Sequence, residues 1–303
     1  MYYSSVTPAE KRTALRRRLD TGELTVLPGV FNALSAQLLQ RRGADGVYIS
    51  GHMIAADLGL PDLGMTTITE VADRGRQIAR MVDLPAIIDA DTGFGEPLNV
   101  GRSIQALEDA GIAGCHIEDQ VNPKKCGHSD GIAVVDPEAA LRRIEAAVCA
   151  RRDPGFLVIA RTDARAVEGL DAAIGRARAF VEAGADVVFP EALQSPDEYA
   201  AFRHAVDVPL MINMNEFGRG TPPTQAEARN LGYQIAVYPV TLLRLAMRAA
   251  LEGVDEILHA GSQHRLLDRM QTKDELYDLL EYGEYQAFDD AVFRAAATQT
   301  GSH

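Results

Sequence analysis

Cysteine, basic side chains and long apolar runs are all scarce in this sequence, and each scarcity removes a class of function. Only three cysteines occur in 303 residues, Cys115, Cys126 and Cys149, with no CxxC spacing. An odd, scattered set of this kind supports neither a disulfide framework nor a thiolate zinc site, so any cysteine chemistry is that of a lone thiol. Lys and Arg number 30 against 43 Asp and Glu, a formal net charge of -13. That balance repels phosphate backbones and anionic lipid, and predicts neither a nucleic-acid nor a membrane partner. The one basic run, Arg16-Arg17-Arg18, falls within an amphipathic helical pattern and reads as a solvated face. No apolar run approaches the roughly 18 residues of a membrane helix, and no signal-peptide pattern opens the chain, so a cytoplasmic protein is expected. Gly301-Ser302-His303 is left aside as a possible expression remnant.

What is present is an ordinary globular composition, 47% hydrophobic and 24% charged, over a length that suits one barrel-sized domain. Short runs rich in β-branched and apolar residues alternate with helical patterns, the signature of parallel βα units. The strands are read at Thr25–Gly29, Gly46–Ser50, Ala86–Asp91, Gly114–Gln120, Phe156–Thr162, Asp186–Ala192, Pro209–Asn215 and Ile235–Val240. Eight such units predict an α/β fold, a (β/α)8 barrel of the triosephosphate isomerase type. Three helices end in a shared form, Arg-Arg-Gly-Ala-Asp (41–45), Asp-Ala-Gly-Ile-Ala (109–113) and Glu-Ala-Gly-Ala-Asp (182–186), where the glycine suits a left-handed helix stop. Thr241–Leu251 and Arg265–Leu280 read as helices beyond what a barrel needs, so residues 1–303 are expected to form a single barrel domain with a C-terminal helical extension at about 263–300. Surplus helices of this kind commonly pack on a neighbouring subunit, and a homo-oligomer is expected.

Barrel active sites lie at the C-terminal ends of the strands, and here those ends are polar. They carry Ser50-Gly51, Asp89-Ala90-Asp91, His116-Ile117-Glu118-Asp119, Arg161-Thr162-Asp163, Glu191 and Asn213-Met214-Asn215. Asp89 and Asp91, at i and i+2 on a strand, would face the same way. Two close carboxylates need a cation or a proton between them, and hard oxygen ligands favour Mg2+ or Mn2+. A helix-capping pair is the alternative. Arg161, at the end of an apolar strand, must meet a carboxylate, either of the substrate or of Glu118, Asp163 or Glu191. Arg244, in the turn after the last strand, could do the same.

The loop Asn122-Pro123-Lys124-Lys125-Cys126-Gly127-His128 places a thiol among cations at the barrel mouth, and its glycine suits either close approach to a ligand or closure as a lid. Cys126 could act as a thiolate nucleophile or as a protonated general acid, since an ordinary thiol with a pKa near 8.5 keeps its proton at neutral pH. Cys115, in a strand, and Cys149, in a helix, read as core residues.

Lys-Lys-Cys-Gly-His (124–128) resembles the signature loop of the isocitrate and methylisocitrate lyases. Ser50-Gly51, Gly59-Leu60-Pro61-Asp62, Asp89-Ala90-Asp91-Thr92-Gly93-Phe94-Gly95, Glu118-Asp119-Gln120, Ala160-Arg161-Thr162-Asp163, Phe189-Pro190-Glu191 and Asn-Glu-Phe-Gly (215–218) follow that family in order, over almost the whole chain. The resemblance implies that Asp89 and Asp91 hold Mg2+ directly or through water, with Asp62 and Glu118 in support. It implies substrate contacts from Ser50, Gly51, His52, Gly127, Arg161, Glu191, Asn213, Asn215, Arg244 and Lys273, and a catalytic set of Cys126 as acid with Arg161, Glu118 and His128. It also implies a tetramer, a dimer of dimers, with the eighth helix exchanged between subunits.

The activity so implied is cleavage of a small tricarboxylate, 2-methylisocitrate, to pyruvate and succinate, with Cys126 protonating the departing carbon. His52-Met53, Asn215 and Lys273 depart from the family pattern, and Phe189, Pro239 and Val240 are expected around the substrate's substituent. Rivals on the same barrel are lyases of isocitrate or dimethylmalate, and phosphonopyruvate mutase or oxaloacetate decarboxylase chemistry; a non-catalytic binding protein is the rival from another class. Cys126-Gly127-His128 speaks against the mutase and decarboxylase, and the absence of a long insertion speaks against isocitrate.

Overall fold

The computed structural model describes residues 3–300 other than 128 and 219, with the backbone alone for 295–300. The chain forms two compact units, one spanning Ser5–Arg244 and a helical one that begins at Leu245.

The first unit is the expected barrel. Its strands are β1 (Thr25–Pro28), β2 (Val47–Ile49), β3 (Ala86–Asp89), β4 (Gly114–Glu118), β5 (Leu157–Thr162), β6 (Val187–Pro190), β7 (Met211–Asn213) and β8 (Ile235–Tyr238). All pairings are parallel, in the orders β2-β3-β4-β5-β6 and β1-β8-β7. Single parallel bridges, Gly29 to Tyr48 and Val188 to Leu210, join the two sets and close the ring. The expected helix stops are real: Gly43, Gly111 and Gly184 have φ of 73°, 81° and 94°.

Strand alternation decides which residues reach the barrel interior. Leu27, Tyr48, Ile87, Leu157, Ile159, Val187, Phe189, Met211, Ile235 and Val237 form one inner apolar cluster. Their neighbours Ile88, Cys115, Ile117, Val158 and Ala160 face a separate layer against the outer helices. Counting on by two from the inner set gives Asp89, Arg161, Glu191 and Asn213. The same register that fills the core therefore aims these polar groups into the barrel mouth.

The opposite end is sealed by the helix Pro8–Asp20, started by a Thr7–Glu10 capping box. Leu15 and Leu19 join the inner cluster, while Arg12 donates to Ile112 O and Arg16 to Gly155 O and Phe156 O. The solvated reading of the arginine run needs correction here. Arg16 and Arg18 are half-buried, ion-paired with Asp186 at 2.9 Å and with Asp45 at 2.8 Å, and Arg17 alone is exposed.

The helical unit is longer and more broken than its sequence pattern suggests. The helix that begins at Thr241 runs to Ala260, and the expected Arg265–Leu280 helix divides into a 3-10 segment, His264–Arg269, and an α-helix, Lys273–Leu279. Thr272 causes the break, because it caps a new helix reciprocally with Glu275. A last helix spans Tyr282–Thr300. Among the described residues no helix is long and apolar enough to cross a membrane.

Candidate active site

At the C-terminal mouth of the barrel a cavity of about 60 Å³ gathers Ser50, His52, Asp62, Asp89, Cys126, Gly127, Arg161, Glu191, Asn213, Asn215 and Arg244, together with the expected substituent contacts Phe189, Pro239 and Val240. Tyr48, Lys124 and Lys125 complete the lining.

The two aspartates converge by a different route from the one the sequence suggests. β3 stops at Asp89, and Asp91 has a left-handed φ of 46°, donating its N–H to Asp89 Oδ1 at 2.9 Å. The i, i+2 alternation of a strand therefore does not apply. A tight turn brings the carboxylates together, with Asp89 facing the main cavity and Asp91 a second one beside it. Gly51 makes room for both: a Cβ there would stand 2.9 Å from Asp89 Oδ2 and 3.1 Å from Asp91 Oδ1, while its N–H donates to Asp89 Oδ2 at 3.1 Å.

Here the cation that the aspartates require is the ammonium of Lys124, 2.5 Å from Asp62 and 2.8 Å from Asp91. Burial would raise Asp62, but His52 and Lys124 outweigh it and hold its pKa down at about 2. Asp91 goes the other way, lifted to about 6 by burial and by the charge of Asp89. Burial works against the charge on Lys124, yet Asp89, Glu118, Asp91 and Asp62 together keep it firmly protonated.

Arg161 is the second buried cation. It makes two hydrogen bonds to Asp163, at 3.0 and 2.9 Å, and lies 3.4 Å from Glu118 and 3.5 Å from Glu191. The ion-pair alternative weighed for this residue is thus present with all three partners, and Arg161 also lines the cavity. Arg176 and Thr162 in turn fix Asp119, whose Oδ1 accepts from the backbone N–H of Asp163 at 2.8 Å. Asp163 is thereby locked against the guanidinium.

These residues fit a divalent cation. Around the cavity five buried carboxylates, Asp89, Asp91, Glu118, Asp163 and Glu191, face two buried cations, Lys124 and Arg161. Such a deficit is costly unless protons or a further cation make it up. Burial pushes Glu118 well above the usual carboxylate range, and its Oε1 accepts no hydrogen bond. Among the described residues no three His, Cys, Asp or Glu side chains already stand at ligand spacing, so water would complete the shell.

The loop carrying Cys126 is held shut from both sides. Gln120 donates to Lys125 O and accepts from Lys125 N, each at 2.9 Å, and Lys124 latches onto the aspartates. At Gly127 the backbone presses on the arginine cluster so closely that a Cβ would lie 2.5 Å from Arg161 and 2.6 Å from Glu191. Cys126 is half-buried in the cavity wall. Cys115 is buried as expected. Cys149 is exposed, because its helix, Pro137–Ala150, buries Ala140, Ile144 and Ala147 and turns position 149 off that face.

Other sequence candidates stand elsewhere. Gly51 and Glu118 lie behind the lining, and His128 falls outside the described residues. Lys273 opens a helix of the other unit, with its ammonium 5.1 Å from the centre of the Tyr277 ring. The sequence reading missed Tyr48 and Lys124 as a partner of the aspartates, and it named His116 among the polar strand ends without giving it a role. Tyr48 Oη and His116 Nε2 are 2.7 Å apart, the two rings stack, and burial keeps His116 neutral with a pKa of about 4. The signal was available: each lies two residues before a polar strand end, Ser50 and Glu118, and so shares its inward register.

A family model described as phosphoenolpyruvate phosphomutase matches residues 15–258. The probable 2-methylisocitrate lyase 2 of Corynebacterium glutamicum is 52% identical over 98% of this chain and 97% of its own length. The 2-methylisocitrate lyase of Escherichia coli is 44% identical over 92% and 95%. Among solved structures, an oxaloacetate acetylhydrolase holding 3,3-difluorooxalacetate matches with a TM-score of 0.89 at 33% identity, covering 94% of this chain and 98% of that one. A 2,3-dimethylmalate lyase gives 0.87 at 34%, covering 95% and 96%. A phosphonopyruvate hydrolase with oxalate and Mg++ gives 0.82 at 29%, covering 92% and 98%.

Proposed function

The chain belongs to the phosphoenolpyruvate phosphomutase family, which takes in the isocitrate lyases, and on that premise we propose that this carbon–carbon lyase cleaves 2-methylisocitrate to pyruvate and succinate. The observation that carries the reading is the cavity itself, where the Cys126 loop meets Asp89, the Asp91-bound Lys124 and a buried arginine. Relatives named 2-methylisocitrate lyase reach 52% identity, whereas the dimethylmalate lyase and acetylhydrolase structures stay near one third.

Asp89 and Asp91 would hold Mg2+, or Mn2+ in its place, with Asp62 and Glu118 in support. When bound, such an ion supplies a Lewis acid that favours the alkoxide form of the substrate hydroxyl. The chain's own groups do the rest. Arg161, fixed by Asp163, meets substrate carboxylate and developing negative charge with a rigid fork. Arg244 offers a second guanidinium at the rim, beside Glu216 at 2.9 Å. Ser50, His52, Gly127, Glu191, Asn213 and Asn215 orient the substrate, Gly51 holds Asp89 through its N–H, and Phe189, Pro239 and Val240 face the substrate's methyl group. The Cys126 thiol gives its proton to the carbon that leaves as succinate. The 122–127 segment, which carries Cys126 and lines the cavity, serves as a lid that opens for entry and closes before cleavage.

We also assign the protein to a homo-oligomer, a helix-exchanged tetramer. Met247, Leu251, Val254 and Leu258 form one exposed apolar face of the Thr241–Ala260 helix, which has no buried residue of its own.

A substrate panel of 2-methylisocitrate, isocitrate, 2,3-dimethylmalate and oxaloacetate, with pyruvate and glyoxylate quantified separately, tests the assignment. Pyruvate from 2-methylisocitrate should dominate. A higher kcat/KM for isocitrate with glyoxylate release would overturn the substrate while leaving the reaction class.

A further inference from the structure

Beside the main cavity lies a second one of about 280 Å³, lined by Gly64, Thr66, Ile68, Asp91, Phe94 and Asn122 among others. The two share a wall. Lys124 lines the main cavity and is ion-paired with Asp91, which lines the second. We propose that the side cavity is the entry vestibule for the hydrated divalent cation, so that cation and anionic substrate reach the site through separate mouths. The inference rests on the metal reading given above.

Size is the first argument. Six waters held in a cavity need about 60–90 Å³ of water-accessible space, roughly 10–15 Å³ each. The side cavity has about 280 Å³ of such space, and the main cavity, at 60 Å³, reaches only the lower end of that range. Exposed Thr67 and Asn122 stand at the rim of the side cavity, so it opens to solvent without movement of Cys126.

Charge is the second. The main cavity sets Lys124, Lys125, Arg161 and Arg244 among Asp62, Asp89 and Glu191, so a cation entering there meets positive as well as negative charge. No residue lining the side cavity is basic, and its base is the carboxylate of Asp91, held by Thr66 Oγ1 at 3.3 Å. The helix Ile68–Ala79 begins at its edge, and the positive pole of that helix is covered by Glu70, which accepts from the N–H and Oγ1 of Thr67, each at 2.8 Å. An opening of this polarity favours cations over anions. Asp91 would be the first carboxylate such an ion meets, and Lys124, 2.8 Å from it, would have to move aside.

Stopped-flow binding of Mn2+ to the full-length protein tests this. Ile68→Trp narrows the vestibule without touching either aspartate. It should slow Mn2+ association and dissociation by the same factor, at least about tenfold, with Kd unchanged. Ile68→Lys, which adds charge with less bulk, should slow association and weaken its dependence on ionic strength. Lys125→Trp, at the main mouth, should leave the rates as they are. Wild-type rates in both Ile68 variants, or slowing by Lys125→Trp instead, would overturn the vestibule. Failure of the unaltered protein to bind Mn2+ at equilibrium would overturn the metal reading itself.

Discussion

Cys126→Ser is expected to fold, to bind pyruvate with near-normal affinity, and to lose cleavage by about 10³-fold or more. Serine keeps the size of the side chain and its place in the cavity wall, so the contacts that hold the loop persist: Gln120 with Lys125, Lys124 with the aspartates, and Gly127 against Arg161. The acidity changes. A thiol releases its proton many orders of magnitude more readily than an aliphatic hydroxyl, and a developing carbanion waits on that proton. The loss should therefore fall on kcat with little change in KM, the mark of a group that acts in the transition state alone. Pyruvate binding, measured by calorimetry, separates this result from a misfolded loop. Turnover within tenfold of the parent would remove Cys126 from the mechanism.

Arg161→Gln should have the largest combined effect on stability and activity. Three buried carboxylates, Glu118, Asp163 and Glu191, lie within 3.5 Å of this one guanidinium. Removing it leaves them facing one another, and breaking a buried ion pair from one side costs about 3–5 kcal/mol. Some of that is recovered as protons bind, since burial already holds Glu118 far above the usual carboxylate range. The unfolding midpoint in urea should fall accordingly, and turnover should drop by about 10³-fold as the fork that meets the substrate is lost. Arg161→Lys sharpens the test, because it keeps the charge and discards the planar geometry. It should recover much of the stability and little of the activity. A lysine variant with near-parental turnover would show that charge alone suffices and that the clamp by Asp163 is incidental.

The barrel was legible because strand period and turn chemistry agree along the chain. Each apolar run with a polar residue two places past its last inward position became a strand with that residue at the mouth, as with Ile159 and Arg161 or Phe189 and Glu191. Where backbone geometry departs from the strand, the sequence misleads. Asp91 reads as a strand residue facing the same way as Asp89, but its left-handed turn sends it to another cavity, and no local residue pattern separates the two outcomes. The pairing of Tyr48 with His116 was not legible for another reason: a tyrosine inside an apolar strand looks like core, and only the curved sheet brings residues 68 positions apart to 2.7 Å. Lys124 was likewise hidden, since its partners Asp62 and Asp91 sit on other loops. Cys149 went wrong through position alone; the spacing of Ala140, Ile144 and Ala147 already marks the buried face, and it excludes 149.

The proposal for Lys124 and the cation is one of exchange. Lys124 neutralises Asp62 and Asp91; a divalent ion held by Asp89 and Asp91 would take over that role and leave the ammonium, which lines the main cavity, to meet an anionic substrate. Loop latch and metal site are then two uses of the same carboxylates.

Diffraction at the manganese edge, from crystals grown with Mn2+, pyruvate and succinate, examines this most directly. An anomalous peak within bonding distance of Asp89 or Asp91, with the Cys126 sulfur turned toward succinate under a shut loop, is the expected result. No peak at the aspartates while both products are bound, or a sulfur facing solvent over a closed cavity, would contradict it.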